Sequence, residues 1–415
     1  GINYYLWHLS HNNQDYCDGQ TCNGSGPYGP YVHTYKNTAG EILGSFSITI
    51  TPPVAGSNTV TVRSVGTSND GQQRTIIATL GIPSFAQYSF ITNSEVWFGD
   101  TESTNGLVHS NKGIHFDGTA NGVVASAVNS YVPSYCFGGN GTTKNGVWGN
   151  GGPTTYWQFP VPQIDFNQLT SDLGDLQTAA QANGIFLPTL IDNKNRKTYD
   201  GYVIRFNAGN TITVGRVTAS RDSGSLGGSC VNHSRTNSLI QSVVWESTNR
   251  NLPNNGIIFA ADNVWTWGTV GARITLVSGR LPDTTSTNTK IYLQNDINYT
   301  AKDGSVALGL IAQSDILVNS NSEDDLNLDA YLLSQKGSVF RPYYSGNVKT
   351  KIRIYGGIGT NSWWTLSWVN GSNLIVSGYQ TTVQTFDNYL TLNPPPLFPT
   401  TGSFAILSWK EEPIL

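Results

Sequence analysis

Short apolar pairs return along this chain at a nearly constant interval. In the second half the first apolar residue of each segment falls at Ile257, Ile274, Ile291, Leu310, Leu332 and Ile352, so neighbouring segments are 17, 17, 19, 22 and 20 residues apart. In the first half Ile91, Leu107 and Val123 are 16 and 16 apart. Each segment carries an apolar pair, a small polar turn and a second apolar step, as in Gly309-Leu-Ile-Ala-Gln-Ser-Asp-Ile316 and Tyr331-Leu-Leu-Ser-Gln-Lys-Gly-Ser-Val339. A period of this length with Gly, Asn or Asp at its corners suits a parallel β-solenoid, one coil per period, with inward aliphatics stacked coil on coil.

Composition points the same way. Of 415 residues only 12% are charged while 45 are glycine, which excludes a helical bundle, a coiled coil or a charged disordered tail. At 44.9 kDa the chain exceeds what one core serves, so two or more units, or one elongated unit, are expected.

Other elements flank the repeat. Ile2, Tyr5, Leu6 and Leu9 share a 3.6-residue stripe and read as the end of a helix, stopped by Asn12, Asn13, Asp15 and Gly19. Phe46, Ile48 and Ile50, then Val60 and Val62, then Arg74 to Leu80 alternate as an antiparallel meander with one buried face. Between the two halves, a helix is expected from Asp165 to Ala182 with Leu169, Leu173, Leu176 and Ala180 on one face, followed by strand alternation from Tyr202 to Val217. The expected fold class is therefore mainly β: an N-terminal helix stub and small antiparallel sheet, an inserted parallel β-solenoid and a small α+β insertion. Its division is 1–27 helix end and Cys loop, 28–88 antiparallel sheet, 89–132 first coils, 133–250 insertion, 251–360 main solenoid, and 361–415 strands returning to the first sheet.

The four cysteines are Cys17 and Cys22, bracketing a short loop, and Cys136 and Cys230, near the ends of the insertion. Two disulfides in an oxidising, extracytoplasmic compartment are expected. The chain has no methionine, so Gly1 is not a translation start and a removed segment is expected before it. No stretch reaches the roughly 20 apolar residues that span a bilayer, so any membrane contact is expected only through that segment. A formal charge of -4 gives little attraction for nucleic acid.

The order of these parts resembles the large minor pilins of type IV pili, of the PilX-like or pseudopilin kind. The residues carrying the likeness are Gly1-Ile-Asn-Tyr-Tyr-Leu-Trp-His-Leu9, Ser64-Val-Gly-Thr-Ser68 with Arg74-Thr-Ile-Ile-Ala-Thr-Leu80, and Val306-Ala-Leu-Gly-Leu-Ile-Ala-Gln-Ser-Asp315. The resemblance implies a pilin-type sheet, partner pilin subunits gripped through a helix upstream of Gly1, and a domain displayed at the cell surface, touching a surface glycan or a partner cell.

Candidate chemistry is sparse. Asp262, Asp296 and Asp315 recur five residues after the first apolar residue of their coils, where Gly279, Gly337 and Gly357 stand in others. Paired carboxylates are the equipment of a polysaccharide hydrolase, but exchange with Gly is the mark of a turn requirement. Ser322-Glu323-Asp324-Asp325 with Asp329 offers oxygen ligands for calcium, yet it and Asp192-Asn193-Lys194-Asn195 lack the EF-hand pattern and read as solvated turns. His109 and His115 have no partner at ligand spacing and read as wall residues, so no metal or cofactor is expected. Trp265, Trp267, Trp363 and Trp364 are candidates for ligand contact or for burial at a joint. Lys349, Lys351 and Arg353 line one strand face, as an anion contact or a charged protective edge. The function expected is a non-enzymatic filament or pilus-tip subunit in adhesion or display. Its rivals are a polysaccharide-active β-helix enzyme and a DNA-binding minor pilin in DNA uptake.

Overall fold

The structure is a computed structural model that describes residues 1–53, 59–191, 196, 198–221, 238–284, 288–370, 372, 374–402 and 404–413. It is mainly β, and the chain divides into two compact units: Gly1–Ser84 with Thr400–Leu415, and Phe85–Pro399.

In the first unit, α1 (Ile2–His11) packs against a five-stranded antiparallel sheet formed by β1 (Tyr28–Lys36), β2 (Ile42–Thr51), β3 (Thr59–Ser68), β4 (Gln73–Gly81) and the C-terminal strand Ala405–Glu412. The helical stripe is used as its spacing predicts: Tyr5 and Leu9 are buried against Ile48, Ile50, Val60, Val62, Ala78 and Leu80, with Ile2 and Leu6 at the margin. Burying a side chain of this size stabilises by about 1.5–3 kcal/mol, which a ten-residue helix requires because it is marginal alone. Ala405 pairs with Gly81, so the chain returns to the sheet beside the point at which it left.

The second unit is the solenoid. One face is a continuous parallel ladder through Ile185, Ile258, Leu276, Leu310, Leu332, Ile358, Phe90, Val108, Val124 and Trp157. This order is not chain order. The chain enters the stack in the middle at Tyr88–Thr92, coils to one end at Trp157–Gln158, crosses through α2 (Gln168–Asn183) and restarts at the far end with Ile185–Leu187. From there it coils back until Ile358 to Thr360 pair with Phe90 to Thr92. The sheet is apolar on both sides, as a parallel sheet covered on both faces must be. Its inward residues fill the coil interior, while Phe259, Val277, Ile311 and Leu333 face outward beneath Leu169, Leu173 and Leu176 of α2 and beneath Leu390 and Phe398. Gly309 lets Phe398 lie flat on the sheet, since a Cβ there would collide with its ring.

A hydroxyl column fixes the first corner. Ser278 donates to Asp262 O at 2.9 Å, Ser334 to Ser314 O at 2.6 Å, Thr360 to Gly337 O at 3.1 Å, Thr92 to Ser362 O at 2.9 Å and Ser110 to Ser94 O at 2.8 Å. Each hydroxyl ties its coil to the one before it in the stack, and the pattern continues unchanged across the Thr360/Thr92 joint. Beside it Asn93 donates to Asn361 and Asn111 donates to Asn93, both at 2.8 Å.

The structure divides the solenoid differently from the expectation. Segment 133–250 is not a separate insertion: Ile185–Leu187 and Gly201–Asn207 pair in parallel with Ile257–Ala260 and Val264–Val270 and are coil strands themselves. Among the described residues of 361–415, only Ala405–Glu412 joins the first sheet, while Ile375–Phe386 pairs with Val348–Thr360 because its Tyr379 belongs to the coil interior. Ile291 and Ile352 are not equivalents of Leu310: Ile291 pairs with Val264 and Ile352 with Leu326, on other faces of the coil. Every face needs inward aliphatics, so apolar recurrence alone does not tell one face from the next.

Candidate functional site

The basic stripe and the acidic loop lie on adjacent coils, and Lys349 and Arg353 pair with its acids. Lys351 is level with Asp325 and Arg353 with Asn327. Lys349 Nζ meets Asp324 at 2.8 Å, and Arg353 grips Asp325 with both guanidinium nitrogens. Glu323 accepts from Asn295 at 2.9 Å, and the buried Asp329 accepts from the Tyr299 N–H and Lys302 Nζ, each at 2.8 Å. Each of these acids thus has a donor of its own, and among the described residues no group of three or more His, Cys, Asp or Glu is arranged to hold a metal ion. Asp192 to Asn195 lie outside the described residues.

The recurring aspartates hold backbone, Asp262 and Asp315 at corners and Asp296 within the strand Ile291–Tyr299. Asp262 accepts from Leu190 N at 3.2 Å, Asn263 N at 2.9 Å and Arg280 at 2.9 Å. Asp315 accepts from Ser338 N at 3.0 Å and pairs with Lys290 at 2.8 Å, and Asp296 accepts from Asn327 N at 2.9 Å. In each case a side chain captures a backbone donor, as aspartates at corners commonly do.

The tryptophans fall in different environments. Trp265, Tyr292, Leu317 and Phe340 form an outward cluster on the coil's second face, covered by Val217, Ile240 and Val243 of the antiparallel strands Thr211–Arg221 and Leu239–Asn251. Trp265 is fully buried, stacks on Tyr292 at 4.5 Å and donates to Ser238 O at 2.8 Å. That carbonyl also takes Asn319 at 2.7 Å and Gln294 at 3.3 Å, so one oxygen spans several coils. Trp267 and Trp363 are half-buried against the same cluster, whereas Trp364 packs inward on Phe90 at 5.2 Å.

A second aromatic column, absent from the expectations, lies on the first coils. The strands Val96–Phe98, Ile114–Phe116 and Val147–Trp148 form a three-stranded parallel sheet in which Trp97, His115 and Trp148 are level. Their rings stack at 4.6 and 3.8 Å with planes 11° apart. Asp117 locks the stack by accepting from Trp97 Nε1 at 2.9 Å, from Asn150 N at 2.9 Å and lying 3.1 Å from His115 Nε2. The other nitrogen, His115 Nδ1, sits 2.9 Å from Phe137 O. Trp148 donates to the Tyr131 hydroxyl at 3.0 Å and carries Lys144 over its ring at 5.0 Å. Burial pushes the Tyr131 hydroxyl up to about 12, so it stays protonated as the acceptor. Trp97 remains 41% exposed and Tyr135, in the turn beside Phe137, 83%. The sequence signal was an aromatic or histidine between two apolar residues at the same place in successive coils, Val96-Trp97-Phe98 and Ile114-His115-Phe116.

In the first unit a polar network joins three elements. His8 of α1 lies 2.9 Å from Asp15, and Asp18 takes Tyr4 of α1 at 3.0 Å and His33 of β1 at 2.8 Å. Burial would raise the Asp15 carboxyl, but the Gly19 N–H, His8 and the Cys17 N–H outweigh it and hold the group below its ordinary value. Both acids sit at the Cys17–Cys22 disulfide loop. Cys136 is also disulfide-bonded, while Cys230 lies outside the described residues. Among the described residues no helix is long and apolar enough to cross a membrane.

No protein-family model matches the chain. No curated protein matches it either. Among solved structures it is similar to the competence-associated pilin ComZ from Thermus thermophilus, with 14% identity over 92% of this chain and 86% of that one and a TM-score of 0.31, a likeness too slight to carry an argument.

Proposed function

We propose that this chain is a non-enzymatic, extracytoplasmic subunit of a type IV pilus-like filament, of the minor pilin kind, whose helix-and-sheet unit serves assembly and whose solenoid is displayed for adhesion. The observation that carries this reading is α1 packed on an antiparallel sheet whose last strand comes from the far end of the chain, so that the 315 residues from 85 to 399 are inserted in the sequence between two neighbouring strands. The helix keeps Trp7 58% exposed after burying Tyr5 and Leu9, which leaves an apolar contact for a neighbouring subunit. A cleft of about 540 Å³ beside Gly1, lined by Tyr35, Leu43, Phe46, Gly66 and Arg74, offers further sheet surface to such a neighbour. The non-enzymatic part is supported by Asp262, Asp296 and Asp315, each engaged by backbone donors.

The test is fractionation of cells expressing the chain from its native locus. The chain should appear with sheared filaments and stay cell-bound when filament assembly is blocked. Free release into the medium regardless of assembly would refute the reading.

A further inference from the structure

The aromatic column meets solvent at Trp97, on a ring already held in place by the fold. An indole left 41% exposed while its N–H is tied to Asp117 and its ring is stacked on His115 has already lost the freedom that binding would otherwise cost. The adjacent turn holds Tyr135 83% exposed, and its neighbour Cys136 is in a disulfide, so two aromatic side chains are presented on braced supports. Glu95 braces the same turn by accepting from Ser134 N at 3.1 Å. Beside these rings stand the carboxylates of Asp117 and, at the Ser134 turn, Glu95, against one ammonium group, Lys144, which is drawn onto the Trp148 ring. That balance disfavours phosphate and sulfate polymers. It suits a ligand with an apolar ring face for the indole and hydroxyl donors for the carboxylates.

We propose that the surface around Trp97 and Tyr135 binds a neutral pyranose chain, the sugar's C–H face lying on the aromatic rings and its hydroxyls donating to the acidic rim. This deepens the adhesive reading above by naming the class of ligand, but its binding chemistry is independent of filament assembly.

The test uses the full chain with cello-, manno-, chito- and maltohexaose as probes, followed by saturation-transfer NMR and calorimetric titration. At least one hexasaccharide should bind in the millimolar range or tighter, with transfer to the sugar's axial protons. Trp97→Ala should weaken it about thirty-fold, the scale of a hot-spot residue, and Trp97→Phe should restore most of the loss. Tyr135→Ala, at a side chain 83% exposed, should also weaken binding, and full affinity in that variant would remove Tyr135 from the surface. Trp245→Ala, an indole 48% exposed on another surface, should have no effect. Absence of Trp97-dependent binding to all four probes overturns the proposal, as does Trp97-dependent capture of another purified filament subunit without sugar binding. A chain that binds sugar but never enters filaments would sink the pilus reading alone.

Discussion

The two aromatic columns of the solenoid are built alike and finished differently. Trp265 and Tyr292 stack on the coil's outer surface as Trp97, His115 and Trp148 do, yet the first pair lies beneath two strands of the same chain and the second column meets solvent at Trp97. An outward aromatic ladder is thus not in itself a binding site. Its cover decides: under Val217, Ile240 and Val243 the rings are core, and where the cover ends, at Trp97, the ring is surface.

Removing each column's leading indole should separate the two most strongly. Trp265→Ala opens a cavity and strands the Ser238 contacts, and should cost about 3–5 kcal/mol in thermal or denaturant unfolding. Trp97→Ala should cost about 1 kcal/mol or less, since much of the ring is already in water. Equal losses would erase the distinction.

The joint between the two stacks supplies a further test. Thr92→Val leaves Ser362 O without its donor and should cost about 1–3 kcal/mol, comparable with Ser278→Ala within the uninterrupted stack. A negligible cost, or separate melting of the first coils in hydrogen exchange, would mean that the columns sit on two bodies rather than one.

The smallest effect belongs outside the solenoid. Asp15 titrates below its ordinary 3.8 in the folded chain, so its contribution is complete above that pH and is lost as pH falls through the lower folded value. Acid melting followed at Trp7 should therefore show a loss below about pH 4 that Asp15→Asn abolishes, while Trp97 and Trp265 keep their relative accessibilities.

Much of this was legible in the sequence because solenoid coils are locally coded. The register read from Gly309 to Ala312 against Tyr331 to Ser334 is the observed one, and α2 buries the face that Leu169, Leu173, Leu176 and Ala180 mark. What escaped is non-local. The bond from Thr92 to Ser362 joins residues 270 apart, and nothing near either one signals it. The stacked Trp97, His115 and Trp148 escaped for a different reason: they lie far apart along the chain, and the spacing that aligns them is one coil. The same coil-to-coil comparison would have set Asp325 opposite Lys351 and beside Arg353, turning two candidate sites into one set of ion pairs.

Hydroxyl-radical footprinting of the free chain and of sheared filaments tests the central claim, assembly through the helix unit and display of the open column. On assembly Trp7 should become protected while Trp97 and Tyr135 stay reactive and Trp265 stays silent in both states. Protection of Trp97 with Trp7 left reactive would contradict it, placing the solenoid in the filament contact and the helix outside.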